Sequence, residues 1–134
     1  MKHAAEMQRY AKGTCANVLP DGTASGPKSG HATRALEAWL ATSNGVDAVE
    51  EAMLAPLFEA LADTTPAPDA RLPDTGVGLD MERLLSPPFV RGPRYGTRCS
   101  TVVLVDDSGF VFAERRFAPD AVPSGSTFAQ VPFA

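Results

Sequence analysis

The sequence predicts an α+β fold in which an antiparallel, hairpin-containing sheet carries two or three helices on one face. Residues 100–105 and 110–117 are runs rich in β-branched and aromatic side chains, and the turn residues 106–109 separate them. These runs predict a β-hairpin with a four-residue loop. Residues 31–45 and 47–61 carry apolar side chains at helical spacing, which predicts the helices. No internal repeat divides the 134 residues, so a single domain is expected.

The N-terminal region has weaker signals than the rest of the chain. Residues 1–12 have a helix-forming composition without a strong apolar face, and we expect this segment to fray. Residues 13–19 are predicted to form a short strand that stops at the turn residues 20–22. Gly, Ser, Pro and Thr dominate the residues that follow up to Gly30, which predicts a loop.

Two helical segments are predicted next, each with an apolar face for the core. The first begins at His31 and ends at the C-cap pair Asn44-Gly45. The second begins at Asp47 but contains Pro56, which lacks an amide hydrogen and crowds the preceding turn. We therefore expect two abutting helices, with Pro56 in the first turn of the second one.

The segments on either side of the hairpin have less regular patterns. Residues 63–73 predict a surface linker, and residues 80–85 predict one helical turn with an apolar side. Residues 126–133 alternate and predict an edge strand, because Pro132 cannot donate a hydrogen bond to a central ladder. The apolar side of the helical turn consists of Leu79, Leu84 and Leu85. The aromatic side chains expected in the core are those of Trp39, Phe58 and Phe89.

The first strand of the hairpin is apolar on both of its faces. Val103 and Val105 point to one side, whereas Val102 and Leu104 point to the other. This pattern is typical of a strand that is covered on both sides. Two modest helices can cover only one side, so we expect a further segment to cover the other. The isolated chain is therefore predicted to self-associate or to lack tight packing.

The charge balance and hydropathy exclude several classes of partner. The formal net charge is −4 and the sequence pI is about 5.1, with no dense cluster of Lys and Arg. A nucleic-acid partner is therefore not expected. No apolar run approaches the roughly 20 residues that span a bilayer, and residues 1–12 lack the apolar centre of a secretory signal. The sequence predicts a cytoplasmic chain without a transmembrane segment.

The cysteines and histidines predict neither a disulfide nor a metal site. Cys15 and Cys99 are far apart in sequence and lack metal-ligand spacing, so both are predicted to be reduced thiols in the core. His3 and His31 are the only imidazoles, and no carboxylate or cysteine pattern accompanies them.

Four short motifs resemble those of a known family. They are Leu72-Pro73-Asp74, the run YGTRCSTVVLVD at residues 95–106, Glu114-Arg115, and Ala16-Asn17-Val18-Leu19, in which Ala16 replaces the family's Ser. Over about residues 12–118 the chain resembles the transport and Golgi organisation protein two family, also called NRDE proteins. The resemblance implies an α/β sandwich like that of the amino-terminal-nucleophile (Ntn) hydrolases.

The resemblance also implies that residues 1–134 form a partial domain, similar to the C-terminal half of an NRDE-type domain. Full-length family members begin Met-Cys, and removal of Met leaves a thiol beside a free amine that can act as its base. This sequence begins Met1-Lys2-His3 and contains no Asn-Arg-Asp-Glu tetrapeptide. The chain alone is therefore expected to be inactive as a hydrolase.

The resemblance implies a candidate site at the start of the first hairpin strand. The residues implied in ligand binding are Tyr95, Gly96, Thr97 and Arg98. Related amidases hold an arginine at a comparable strand end near the nucleophile, which implies a catalytic position for Arg98. The alternative is that Arg98 pairs with Asp74 or Glu114 and fixes the loop. The nearby Arg115-Arg116 is expected to be a solvated strand end.

Asn17 is the second candidate catalytic residue. The resemblance implies a position from which its side-chain amide donates a hydrogen bond to a developing oxyanion. The alternative is that Asn17 bonds to turn backbone beside Pro20-Asp21.

Two functions from different classes follow from the resemblance. The first is intracellular handling or trafficking of a small-molecule ligand, with haem or an acyl lipid as the ligand implied. The second is hydrolysis of a non-peptide amide by an Ntn-type domain whose nucleophile half is missing from this chain. The expected partner is a complementing N-terminal half, or a second copy of the chain.

Overall fold

Helices occupy the first part of the described chain and strands the second part. The structure is a computed structural model that describes residues 27–134, with side chains described from Gly30 onward. The α-helices are α1 (Pro27–Leu40), α2 (Ala55–Leu61) and α3 (Leu79–Leu85). The strands are β1 (Cys99–Asp106), β2 (Gly109–Ala118) and β3 (Val122–Pro132). Short 3-10 turns lie at Val46–Ala48, Glu51–Leu54, Asp69–Arg71 and Pro119–Ala121. The predicted α+β class is confirmed.

The first helix is displaced from its predicted bounds at both ends. It begins at Pro27, inside the predicted loop, because a proline is tolerated in the first turn, where no amide hydrogen bond is needed. It ends at Leu40, four residues before the predicted cap Asn44. The hydroxyl groups of Thr42 and Ser43 donate to the carbonyls of Trp39 and Leu40, at 3.0 and 3.2 Å. These hydroxyls satisfy carbonyls of the last turn, so the predicted C-cap pair was wrong.

The second predicted helix is broken, as the proline indicated. Pro56 lies in the first turn of α2, which confirms its predicted position. The stretch before it forms two 3-10 turns instead of an α-helix, because Val49 is extended (φ −83°, ψ 120°) and interrupts the helical path. Gly45 has φ +105°, a conformation that other residues rarely adopt, and it directs the chain into the first of these turns.

The sheet has the order β1-β2-β3, with both pairs antiparallel. Asp106 pairs with Gly109, so the hairpin loop has two residues and the predicted four-residue loop was wrong. The Asp106 side chain accepts a hydrogen bond from the Ser108 amide at 2.8 Å, and this bond holds the two-residue turn. Asp106 and Gly109 can therefore pair as the last and first residues of the two strands. The predicted edge strand is confirmed, but it begins earlier than predicted, at Val122.

The helices cover only one face of the sheet. Side chains on this covered face come from alternate positions of the strands and pack against α1, α2 and the first 3-10 turns. The core is formed by Trp39, Leu40, Val46, Val49, Leu54, Leu57, Phe58, Val102, Leu104, Val111 and Ala113. The Trp39 indole Nε1 also donates to the Met53 carbonyl at 2.6 Å. The placement of Trp39 and Phe58 in the core is confirmed.

The opposite face, the open face, is apolar and uncovered by the described residues. Its side chains are those of Val103, Val105, Phe110, Phe112, Ala129 and Val131. Val103 is 40 % exposed, whereas its neighbour Val102 is 7 % exposed. Within residues 27–134 the helices thus cover one side of β1, and the expected cover of the other side by a further segment stays a prediction. Cys99 lies on the same face of β1 as Val103 and is exposed, so its predicted core position was wrong.

The segment before β1 is anchored to both the helices and the sheet. The predicted helical turn is present as α3, but Leu79 and Leu84 on its apolar side are about half exposed. The Phe89 amide donates to the Asp63 carbonyl at 2.9 Å, and the Phe89 ring is buried as predicted. The Asp120 amide donates to the Gly92 carbonyl at 3.1 Å and ties this segment to the β2–β3 connection. None of the helices in the described chain is long and apolar enough to cross a membrane.

Candidate functional site

The predicted site at residues 95–98 forms a tight loop that folds back on Val90. The Thr97 amide donates to the Val90 carbonyl at 2.8 Å, and the Val90 amide donates to the Thr97 hydroxyl at 3.0 Å. A Cβ atom on Gly96 would lie 2.9 Å from the Val90 carbonyl oxygen, which is closer than real contacts allow. The loop therefore needs glycine at this position, and Thr97 holds the loop in place.

The two long side chains of this loop face solvent. Tyr95 is 65 % exposed, and Arg98 is exposed as well. The Arg98 carbonyl accepts from the Phe117 amide at 2.8 Å, which extends the β1–β2 pairing by one residue. The proposed pairs of Arg98 with Asp74 or Glu114 are not formed. Asp74 accepts from the Gly76 amide at 3.2 Å, and Glu114 lies 3.3 Å from Arg116.

The Arg98 guanidinium therefore has no carboxylate partner among residues 30–134. Its implied place in a catalytic or binding site stays a prediction. Asn17 lies outside the described residues, as do Cys15 and His3. Whether Asn17 and Arg98 face each other, as the resemblance implies, also stays a prediction.

A cavity of about 690 Å³ lies beside this loop, at the end of the covered face. Its described lining consists of Glu51, Phe58, Ala62, Thr64, Phe89, Arg91, Ser100, Arg115, Arg116, Phe117, Ala121, Pro123, Gly125 and Ser126. The rings of Phe89 and Phe117 pack edge to face, with centroids 4.8 Å apart, and form an apolar wall. Arg98 precedes Ser100 by two residues and is not part of the lining. The predicted loop and the cavity are thus adjacent in sequence but distinct.

Arg115 lies on the covered face at the floor of this cavity. It is paired with Ser100 on β1 and with Ser126 on β3, so the three side chains form a row across the sheet. The Arg115 guanidinium carbon lies 4.2 Å from the centroid of the Phe58 ring, a cation–π contact that orients the charge. The prediction of a merely solvated strand end missed this contact.

Arg116 is held more firmly than Arg115. Its Nη1 donates to Glu114 at 3.3 Å and to the Thr127 hydroxyl at 2.8 Å, and its Nη2 lies 3.4 Å from the Ser126 carbonyl. A Cβ atom on Gly125 would come within 2.9 Å of this Nη2, so glycine makes room for the guanidinium. Arg116 therefore forms a fixed rim of the cavity.

The sequence alone could have placed Arg115 on the covered face, because side chains alternate between the two faces of a strand. Val111 and Ala113 are 0 % and 1 % exposed, and Arg115 continues their alternation on the covered face. A charged residue where the next core residue is expected signals either a strand end or a site. The cavity itself left no signal, since its walls come from four separate parts of the chain.

The described residues show no constellation for metal binding. Within residues 30–134 no group of three or more His, Cys, Asp and Glu side chains is placed to hold a metal ion. His31 Nε2 lies 3.8 Å from Asp63 Oδ2, and His31 does not line the cavity.

Comparison with known proteins assigns the chain to a family. The family model described as Transport and Golgi organisation 2 matches residues 5–119, which include the candidate Asn17, the loop at residues 95–98 and both hairpin strands. No curated protein and no solved structure matches the chain.

Proposed function

Because the chain belongs to the Transport and Golgi organisation 2 family, we propose that it handles a small amphipathic ligand of the haem or acyl-lipid type in the cytoplasm. The observation that carries the proposal is the cavity beside the loop at residues 95–98. Its volume of about 690 Å³ falls within the roughly 300–1,000 Å³ of protein ligand pockets. Its walls combine aromatic rings with a few convergent polar groups, as ligand sites do.

The chemistry of the cavity favours an acyl lipid over haem. Haem iron is held by His, Cys, Met or Tyr side chains, and the described lining contains none of these. Phe89 and Phe117 offer apolar surface to an acyl chain, while the arginines offer charge to a head group. Haem binding at this cavity would need an iron ligand from outside the described lining.

Amide hydrolysis is the second candidate function. It is favoured by the Arg98 guanidinium, which stands at the start of β1 without a carboxylate partner in the described chain. Hydrolysis of the Ntn type also needs a nucleophile, a base and oxyanion donors in one cleft. Residues 1–134 contain no Met-Cys pair, so the nucleophile of an Ntn-type reaction would have to lie outside these residues.

The open face supports the proposal of a complementing N-terminal half as partner. Val103 and Val131 on this face are 40 % and 41 % exposed, and the rings of Phe110 and Phe133 contact each other beside them at 6.2 Å. Contiguous apolar surface of this kind marks an interaction site. A second sheet packed there would complete a sandwich of two sheets between helices, and self-association would cover the same face.

Ligand titration of the full 134-residue chain tests the proposed function. We expect saturable binding of acyl-coenzyme A by isothermal titration calorimetry, weakened about tenfold by Phe117→Ala, because the ring contributes buried apolar area. The matched control Val77→Ala removes an exposed apolar side chain that does not line the cavity, and it should leave affinity unchanged. The absence of saturable binding of both acyl-coenzyme A and haem would overturn the proposal.

Arg98→Ala in the same titration decides whether the loop at residues 95–98 belongs to the site. Weaker binding by Arg98→Ala would show that Arg98 takes part in the ligand site. Unchanged affinity would remove Arg98 from the ligand site and leave the cavity as the site.

A further inference from the structure

The row of Ser100, Arg115 and Ser126 has features that the packing of the core does not require. The two preceding positions on the covered face of β2 are Val111 and Ala113, which are almost completely buried. At the third position the strand places a guanidinium beside the cavity, and its only described partner is the Phe58 ring at 4.2 Å. A ring face orients the cation, and Arg115 is exposed, so its five N–H donors have no protein acceptor among the described residues and are open to a ligand or to water.

The charge of Arg115 is not neutralised by the described residues. Four ion pairs are formed within residues 30–134, and Arg115 takes part in none of them. Its sequence neighbour Glu114 points to the opposite face and pairs with Arg116. The described lining of the cavity contains three arginines and one acidic residue, Glu51. Arg116 is the arginine already paired with Glu114, so Arg91 and Arg115 remain against one carboxylate. An excess of positive charge in a concave site attracts an anion.

Two hydroxyl groups flank the unpaired guanidinium. Ser100 and Ser126 lie directly opposite Arg115 on the neighbouring strands, where Cβ atoms are about 4.5–5.5 Å apart. Ser100 is 8 % exposed, and its hydroxyl makes no hydrogen bond within the described residues. Ser100 and Ser126 lie on opposite sides of β2 and are therefore roughly 10 Å apart, so one oxyanion can accept from the guanidinium together with one of the two hydroxyls.

We propose that Arg115, with the hydroxyl of Ser100 or Ser126, forms an oxyanion site that takes the carboxylate or phosphate head group of an amphipathic ligand. The inference rests on the proposed function, in which the cavity holds such a ligand. The planar fork of Arg115 matches a carboxylate or phosphate with two parallel hydrogen bonds. The apolar tail lies along Phe89 and Phe117, and Arg91 at the cavity wall adds to the positive field.

Three probes, octanoate, octyl phosphate and octanol, separate head-group recognition from apolar binding. Octyl phosphate and octanol share an eight-carbon tail, and the tail of octanoate is one methylene shorter, which is worth about 0.8 kcal/mol, so larger differences in affinity for the full chain report the head group. By isothermal titration calorimetry we expect both anions to bind at least about tenfold more tightly than octanol, since hydrogen bonds to charged groups are the strong ones. The tighter of the two anions identifies the head group as a carboxylate or a phosphate ester.

Arg115→Gln tests the residue that carries the inference. It keeps a polar side chain, shorter than that of arginine, and removes the charge, and we expect it to abolish the advantage of the anions over octanol. Octanol binding should change by less than about twofold, because the apolar wall stays intact. The control Arg71→Gln makes the same charge change at an exposed arginine that does not line the cavity, and it should preserve the anion preference.

The outcomes distinguish this inference from the proposed function. If octanoate and octyl phosphate bind the wild-type chain no better than octanol, the oxyanion site is overturned even if Arg115→Gln does not fold. Ligand handling would then stand on the apolar wall alone. If the preference survives in folded Arg115→Gln, the inference is also overturned. If no probe binds and acyl-coenzyme A does not bind either, both proposals fail together.

Discussion

The two faces of the sheet have similar apolar composition but very different environments. On the covered face Val102 and Leu104 are 7 % and 5 % exposed, whereas on the open face Val103 and Val131 are 40 % and 41 % exposed. Val102 and Val103 are the same residue type at adjacent positions of one strand. The difference teaches that strand hydropathy indicates a need for cover, while the position of the helices decides which face receives it.

The covered face is also divided along its length. Near the hairpin it is closed by Val46 and Leu54, which are 1 % and 0 % exposed. Towards the other end of the strands, the row of Ser100 and Arg115 replaces apolar side chains, and the cavity opens there. The core thus supports the candidate site, because it fixes β1 and β2 while leaving their far ends free to bind.

The largest expected effect comes from truncating the same residue type on each face. Val102→Ala should lower the free energy of unfolding by about 2 kcal/mol, since two buried methyl groups are lost and a cavity is left. Val103→Ala should cost about 0.5 kcal/mol or less, because its methyl groups are already partly in water. Urea unfolding of the two variants measures the difference, and both lose the same β propensity. Equal costs would show that the open face is covered in solution.

The second expected effect concerns what covers the open face. The wild-type chain should self-associate, and Val103→Lys should weaken that association at least about tenfold, since it would place an unpaired ammonium in the contact. Sedimentation equilibrium measures the association. Val77→Lys adds the same charge at an exposed apolar residue outside the sheet and serves as the control.

The same variants identify the partner. A supplied N-terminal half of the family domain should bind the wild-type chain in place of a second copy, and Val103→Lys should weaken this binding too. A well-packed monomer that binds no N-terminal half would contradict the partner proposal.

The smallest expected effect concerns the link between the hairpin and the helical layer. Asp106 Oδ2 accepts from the Val46 amide at 2.9 Å, and its Oδ1 accepts from the Ser108 amide and hydroxyl at 2.8 and 2.6 Å. Burial acts to raise the pKa of Asp106, but the hydrogen bonds from Ser108, Val46 and Gly109 outweigh it, so the pKa lies below its usual value of 3.8. This carboxylate therefore stabilises the fold above that value, and the stabilisation is lost as pH falls through the lower pKa of the folded state.

Asp106→Asn should thus cost about 1 kcal/mol at neutral pH and less at acidic pH. Urea unfolding at neutral pH and at about pH 3 checks this dependence. Asp107→Asn changes the next, exposed carboxylate of the same loop and should have little effect at either pH. A cost for Asp106→Asn that does not change with pH would exclude the carboxylate charge as the source of the stabilisation.

The elements of the fold were largely predictable because each depends on neighbouring residues. The break at Pro56 follows from a missing amide hydrogen, and the hairpin follows from two β-branched runs around Asp106 and Gly109. The ends of α1 and the length of the hairpin loop were missed. They depend on single hydrogen bonds, such as those of Thr42 and of the Asp106 carboxylate, that compete with the expected caps.

The candidate site was predictable only in part. The motif around Gly96 and Thr97 was found from the sequence, and its tight approach to Val90 agrees with the need for glycine there. The roles implied for Asn17 and Arg98 stay predictions. The cavity was not predicted, because Phe58, Phe89 and Arg115 come together only when the helical layer, the segment before β1 and the sheet have packed.

By itself the sequence determined the fold class, the family and an apolar strand that needs cover on two sides, since these follow from local periodicity and short motifs. Only the tertiary structure decided that the described helices cover one face, that Cys99 and Val103 lie on the other, and that Arg115 lies over Phe58 without a carboxylate partner among residues 30–134. Such contacts join residues far apart in the chain, and their free energy depends on packing geometry, which no local pattern encodes.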